Sequence, residues 1–173
     1  MRNGKDIILF ALVASNPTIR VVTMIREAYP TDIEPLLVLC QLMHEESYYK
    51  IFDYQEKKVR QLFYTALDTP DTMGLWIAEE HDEIIGFLLG FLTPHFFGTD
   101  LQACDLGIYM LPEKRGSLAS VRLIKAFEAW AIERGAKEVI LGSSTGIARE
   151  RAVKLFTKLG FTHEATALRK VLH

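Results

Sequence analysis

Residues Leu106 to Arg134, LGIYMLPEKRGSLASVRLIKAFEAWAIER, constrain this chain more than any other stretch. Ile108, Tyr109 and Met110 form an apolar, β-compatible run, and Pro112 ends it because its nitrogen has no hydrogen to donate to a ladder. Glu113 to Ser117 then supply charge, Gly116 and a hydroxyl. From Leu118 the pattern becomes helical. Val121, Ile124, Phe127 and Ala131 share one stripe, and Leu123 and Trp130 widen it. A strand that turns through small residues into a helix makes a cradle for an anion. Loop N–H groups converge with the unpaired first N–H groups of the helix, and the helix dipole adds roughly half a positive charge. Arg115 at the lip adds a full charge and a forked donor suited to phosphate. The stretch therefore predicts a phosphate or pyrophosphate site around Arg115 to Ser120. The alternative is an ordinary strand-to-helix turn with a solvated arginine.

Two common phosphate motifs are excluded. No G-x-x-x-x-G-K-[ST] occurs, and no lysine sits where the helix begins. The fingerprint G-x-G-x-x-G is also absent, since Gly107 and Gly116 are far apart and flank a strand end.

Tyr109 to Gly116, YMLPEKRG, followed by a long helix, resembles the central motif of the GNAT superfamily of N-acetyltransferases. There, a strand ending near Y-V-x-P-x-x-[QR] leads into [QR]-x-x-G-x-[GA], whose backbone amides hold the pyrophosphate of acetyl-CoA. Arg115 takes the first position of the second element. Leu118 stands where the family has Gly, and Ser120 where it has Gly or Ala. Leu118 keeps the main-chain N–H, and its side chain is expected to turn away from the phosphates. Ser120 adds a hydroxyl that can donate to a phosphate oxygen. A second stretch, RAVKLFTKLGF (Arg151 to Phe161), resembles the family's A-x-x-L-Y-x-x-L-G-F. Its own pattern agrees: Ala148, Ala152, Leu155 and Leu159 repeat at helical spacing, and Gly160 suits a left-handed cap. The resemblance covers about Met24 to His173.

The resemblance implies a single-domain α/β GNAT-like fold, with a mixed central sheet of six to seven strands and about four helices on both faces. It also implies acetyl-CoA as cosubstrate, an amine of a small molecule or peptide as acceptor, and direct attack on the thioester. Cofactor contacts map to Ile108, Tyr109 and Met110 on the central strand. They continue through Arg115, Gly116, Ser117, Leu118, Ala119 and Ser120 in the loop, and reach Ser143 and Ser144 on the opposing strand end. The family often has a tyrosine in the late helix to protonate the leaving thiolate. Phe156 occupies that position here. Asp105 and Glu46 are the carboxylates expected to assist amine deprotonation, with His44 and His95 as second choices. In the family, the connection after the first helix borders the acceptor, which makes His44, Glu45, Glu46, Tyr48, Tyr49 and Phe52 acceptor candidates. The alternative is an exposed loop with aromatics tucked onto the core. A rival function is a degenerate acetyltransferase fold acting as a binding or interaction module.

Composition narrows the partners. At 173 residues, 49% hydrophobic and 24% charged, the chain is long enough for one substantial core. A formal net charge of −2 with scattered cations argues against a nucleic-acid partner. Cys40 and Cys104 lie in apolar segments with no metal spacing, which predicts free thiols, a cytoplasmic location and no metal. Arg2, Lys5 and the apolar run Ile7 to Ser15 superficially resemble a secretory signal, but the run is far shorter than the ~20 apolar residues that span a bilayer, and no membrane contact is expected. Residues 1–23 are read as an N-terminal extension and 24–173 as an acetyltransferase-like domain, since many family members begin at a sequence like MIREAYPTDI.

The expected order of elements is β-α-α-β-β-β-α-β-α-β. The first strand is placed in Thr18 to Ala28 and helix one after Thr31-Asp32. Helix two spans Gln55 to Leu67, and a hairpin spans Leu75 to Glu79 and Ile84 to Leu92. The central strand is Leu101 to Met110, followed by the helix Leu118 to Arg134. A short buried strand, Glu138 to Leu141, precedes the second motif, and Ala165 to Leu172 is a closing strand. The loop Thr93 to Asp100, with His95, Phe96 and Phe97, is read as lining an acceptor pocket, or as a hydrophobic plug or homodimer contact.

Overall fold

The computed structural model describes residues 23–164 and 167–172. Most of the predicted extension, residues 1–22, lies outside the described residues. Five strands form one sheet in the order β1 (Met24–Glu27), β2 (Met73–Glu80), β3 (Glu83–Pro94), β4 (Leu101–Met110) and β5 (Glu138–Ile140). The first three contacts are antiparallel and β4–β5 is parallel, so the sheet is mixed. Four α-helices cover it: α1 (Ile33–Glu46), α2 (Glu56–Asp68), α3 (Leu118–Glu133) and α4 (Arg149–Lys158).

The strand count corrects the expectation of six to seven. The predicted closing strand does not form over the described part of its range. Residues 167–172 are exposed and have no ladder, and 165–166 lie outside the described residues. Leu168, Val171 and Leu172 do not keep a period of two, so no single face of that segment is apolar. The strand it would join, β5, is only three residues long and alternates exposed and half-buried positions rather than being buried.

The core divides by sheet face. Leu36, Leu37 and Leu39 of α1 pack with Phe63 and Ala66 of α2 against Ile77, Phe87, Leu89 and Tyr109. On the opposite face, Leu123, Ile124, Phe127, Trp130 and Ala131 of α3 pack with Phe156 of α4 against Trp76, Leu88, Ala103 and Met110. The α3 stripe matches its sequence spacing, except that Val121 is only half-buried. Phe127 lies directly over Gly90, where any Cβ would collide with the ring. The ring also stacks on Trp130 at 5.8 Å and tilts against Trp76 at 5.8 Å. This lets α3 sit close to β3 and fixes its height over the sheet.

Helix α1 begins directly after Thr31-Asp32, as expected, and the Asp32 carboxylate turns back to accept from the Tyr29 N–H at 2.7 Å. It also takes a bidentate pair from Arg26, which simultaneously binds Glu79. Arg26 lowers the carboxyl's pKa, outweighing the burial that would raise it. Among the described residues no helix is long and apolar enough to cross a membrane.

Phe127 is fully buried, so Phe127→Ala should destabilise the fold by about 3–5 kcal/mol through lost burial and an unfilled cavity over Gly90. A urea midpoint shift of less than 1 kcal/mol equivalent would contradict that placement.

Candidate active site

The site starts where β4 and β5 part. They pair only at Gln102↔Glu138, Ala103↔Val139 and Cys104↔Ile140. On its other side, β4 stays paired with β3 as far as Met110, but a bulge intervenes: Leu89 faces Gly107 and Gly90 faces Asp105, leaving Leu106 as the extra residue. Bulges bend a strand and increase its twist. Directly before that bend, the main-chain N–H of Gly142 donates to the Asp105 carboxylate at 2.6 Å, where a next ladder bond would otherwise form. Beyond Asp105, the β5-facing edge of β4 has no strand partner among the described residues.

Desolvation pushes the Asp105 carboxyl up to about 6, despite the opposing hydrogen bond from Gly142. A side chain at Gly142 would sit 3.6 Å from that carboxylate and 3.9 Å from Ser144 Oγ. Asp105, Gly142 and Ser144 therefore border one small volume at the mouth of the splay.

The predicted anion loop follows β4. A short turn, Pro112–Lys114, leads to Gly116 at φ +84°, a backbone conformation that favours glycine. Ser117 then caps α3, its hydroxyl accepting from the Ala119 N–H at 3.3 Å. The amides of Gly116 and Leu118 have no acceptor among the described residues. Leu118 is 67% exposed, and Ser120 is buried beside Ala119. The hydroxyl of Ser120 thus lies on the core side of the helix start.

Arg115 is already engaged. Its guanidinium makes a bidentate pair with Glu46 at 2.5 and 2.6 Å, donates to the Met110 carbonyl at 3.0 Å and lies over the Tyr109 ring. Tyr109 also donates to Glu46, at 3.3 Å. Arg115 holds the Glu46 carboxyl below the usual carboxylate range. Lys114 is likewise paired, with Glu80. A second cation, Arg151 of α4, also approaches Gly116, with Nη2 3.3 Å from where a Cβ would stand. Arg151 makes no ion pair among the described residues. The sequence reading missed it as a site residue. Its position at the head of the second motif was the available signal.

The connection after α1 is drawn across the splay. His44 Nε2 contacts the Phe52 carbonyl at 3.0 Å and its ring packs on Tyr54, so His44 anchors the connection. The Tyr48 N–H donates to the Thr145 carbonyl at 2.9 Å, and the Tyr48 ring covers Gly146 so closely that any side chain there would collide. Tyr49 Oη donates to Ser144 Oγ at 2.7 Å. Glu45 is exposed and accepts from Gln41, and Phe52 is exposed. Ser143 faces the same loop, its carbonyl accepting from the Gly146 N–H at 3.5 Å.

The remaining sequence candidates fall elsewhere. The loop 95–100 joins β3 to the start of β4, at the opposite end of that strand from the anion loop. Phe96 and Phe97 are more than 80% exposed and stack on each other and on His95. Ile108 and Met110 pack toward α3, whereas Tyr109 packs toward α1. Phe156 is buried and packs on Phe161. Burial raises the Cys40 thiol to about 11 and shifts Cys104 upward too, so both stay protonated near neutrality. No group of three metal-ligating side chains occurs among the described residues.

Comparison with known proteins identifies the family. The acetyltransferase (GNAT) family model matches residues 37–161, well over half of the chain, and the chain belongs to that family. Among solved structures, the aminoglycoside N-acetyltransferase AAC(6')-Iy in complex with CoA superposes with a TM-score of 0.73 at 18% identity, covering 88% of this chain and 95% of that one. Glucosamine-6-phosphate N-acetyltransferase from Arabidopsis thaliana gives a TM-score of 0.68 at 14% identity over 88% and 99% of the two chains. A transcriptional regulator from Bacillus halodurans gives 0.69 at 21% identity over 87% and 100%. At these identities the likeness is one of fold. No curated protein matches the sequence.

The Glu46–Arg115 pair has a pH signature. The folded-state pKa of Glu46 is depressed, so its stabilisation is fully present above the unfolded value of about 4.3 and is lost as pH falls through the folded one. Glu46→Gln should therefore lower the melting temperature at pH 7, with the gap to wild type closing below about pH 4. A gap that stays constant from pH 7 to pH 3 would contradict the pairing.

Proposed function

We propose that the chain transfers an acetyl group from acetyl-CoA to a primary amine of a small molecule or peptide, by direct attack of the amine on the thioester. The observation that carries this reading is the open edge of β4 leading directly into the N-terminus of α3. An extended pantetheine has main-chain donors and acceptors to pair with along that edge, as an added strand would. Unpaired amides at Gly116 and Leu118, together with Arg151, suit a pyrophosphate at its end. The exposed Leu118 side chain leaves its own N–H available.

The residues divide the work by chemistry. The β4 amides of Ile108 and Met110, which alternate with those that face β3, are the donors available to a thioester oxygen, whose negative charge grows as the amine adds. Asp105 is the carboxylate suited to accept the amine's proton, directly or through a water. It borders the splay, and a pKa of about 6 leaves it ionised at neutral pH yet more basic than an ordinary carboxylate. Glu46 is ionised too, but Arg115 occupies both of its oxygens. Its part in this reading is to hold Arg115 and Tyr109 at the mouth of the site. The new N–C bond forms as the C–S bond breaks, and the thiolate takes its proton from solvent. With a thiol pKa near ~8.5 it is a competent leaving group without help from Phe156.

The engagement of Arg115 by Glu46 and the buried phenyl at Phe156 favour a second reading, a non-catalytic module that keeps the fold. Calorimetric titration with acetyl-CoA separates the two. Micromolar binding is expected, and no binding at millimolar cofactor would end the enzyme reading.

A base at Asp105 also predicts a pH profile. Below about pH 6 the carboxyl is protonated and cannot accept a proton, so kcat/KM should rise through an inflection near 6. Asp105→Asn should remove that inflection and lower kcat/KM by about 100-fold, in the usual range for losing a general base. An unchanged profile would remove Asp105 from the mechanism.

A further inference from the structure

Arg169 lies in the exposed segment 167–172, which belongs to no helix or strand, yet its guanidinium has a defined seat. It lies 4.9 Å from the centroid of the Tyr49 ring and 5.7 Å from that of Tyr48. It donates to the Ser144 carbonyl, and to Tyr49 Oη at 3.4 Å. No carboxylate pairs with it among the described residues. Two aromatic faces and a carbonyl, with no anion, make a seat that selects a weakly hydrated cation and holds it exchangeably.

Two further observations connect the seat to the site described above. Ser144 Oγ, which accepts from Tyr49, stands beside Gly142, whose N–H is bound to Asp105. A cation in the seat is therefore a neighbour of the splay. The segment carrying Arg169 is also weakly held. Leu168 is 92% exposed and Leu172 82% exposed, so little apolar burial opposes its release.

We propose that the Tyr48–Tyr49–Ser144 seat is the subsite for a cationic group of the acceptor, and that Arg169 occupies it as a self-ligand. The acceptors this selects are amines that also carry a guanidinium. The cation enters the seat, displaces Arg169 and leaves the reacting amine toward Asp105. This deepens the acetyltransferase reading and rests on it for the identity of the reaction, but the binding it describes requires no catalysis.

The test is calorimetric binding of agmatine, which carries one amine and one guanidinium, to the full chain without acetyl-CoA. Arg169→Ala should bind agmatine about tenfold more tightly than wild type, because the seat no longer has to be vacated. Butylamine, which lacks the guanidinium, should show no such gain. Adding Tyr48→Leu and Tyr49→Leu to Arg169→Ala should abolish the gain while leaving thermal unfolding cooperative. A merely structural Arg169 would give equal or weaker agmatine binding in Arg169→Ala, and that result would overturn the proposal. Acetyl-CoA titrated into the same two proteins separates the readings. Tighter agmatine binding without cofactor binding supports the seat and sinks the enzyme. Cofactor binding with unchanged agmatine binding does the reverse.

Discussion

One hydrogen bond sets the geometry of the site: the Gly142 N–H to the carboxylate of Asp105, at 2.6 Å. A parallel strand pair would ordinarily continue its slanted ladder, backbone to backbone. Here the ladder stops at Cys104↔Ile140, and a side chain takes the next donor. The strands can then diverge while that N–H keeps an acceptor within the protein. The bulge at Leu106 supplies the bend. The same bond that opens the splay thus holds a carboxylate at its mouth, in surroundings dry enough to raise its pKa.

Several charged groups are committed in ion pairs: Arg26 to Asp32 and Glu79, Lys114 to Glu80, Arg115 to Glu46. These pairs tie β1 to β2, the anion loop to β2, and the anion loop to the end of α1. Arg151 and Arg169 have no carboxylate partner among the described residues, and each borders a separate end of the site. Committed charges shape a scaffold. Arg115 is held by Glu46 and Arg151 by no carboxylate among the described residues, which supports giving the proposed phosphate contact to Arg151 rather than to the arginine of the motif.

How much of this was legible in the sequence depends on whether a feature is local. The strand Leu101 to Met110 was read with its observed bounds, and the α3 stripe was read almost entirely, because both follow from periodicity alone. Gly160, in the left-handed region at φ +98° just after α4, was a local signal too. The missing closing strand was not legible, because ladder formation depends on a partner edge. Asp105 was read as a candidate, but its bond to Gly142 joins residues 37 positions apart, and no spacing rule marks it. Arg115 shows the limit from the other side. The motif put it at the lip of the predicted cradle, but its partner Glu46 lies 69 positions away on another element.

The connection after α1 carries the same lesson to substrate choice. Tyr48 and Tyr49 are adjacent in sequence, and alternate side chains of an extended segment would face opposite ways. The short helical turn Tyr48–Ile51 brings both rings to one side, where they flank the same guanidinium. That turn is positioned from outside by the Tyr48 N–H on the Thr145 carbonyl and by the close fit of Tyr48 on Gly146. The loop after β5 therefore dictates the shape of the acceptor connection, and Asp105 dictates where that loop begins. The Tyr48–Tyr49 turn and the Asp105 carboxylate are thus parts of one hydrogen-bonded arrangement, and a change at Gly142 or Gly146 must be felt at both.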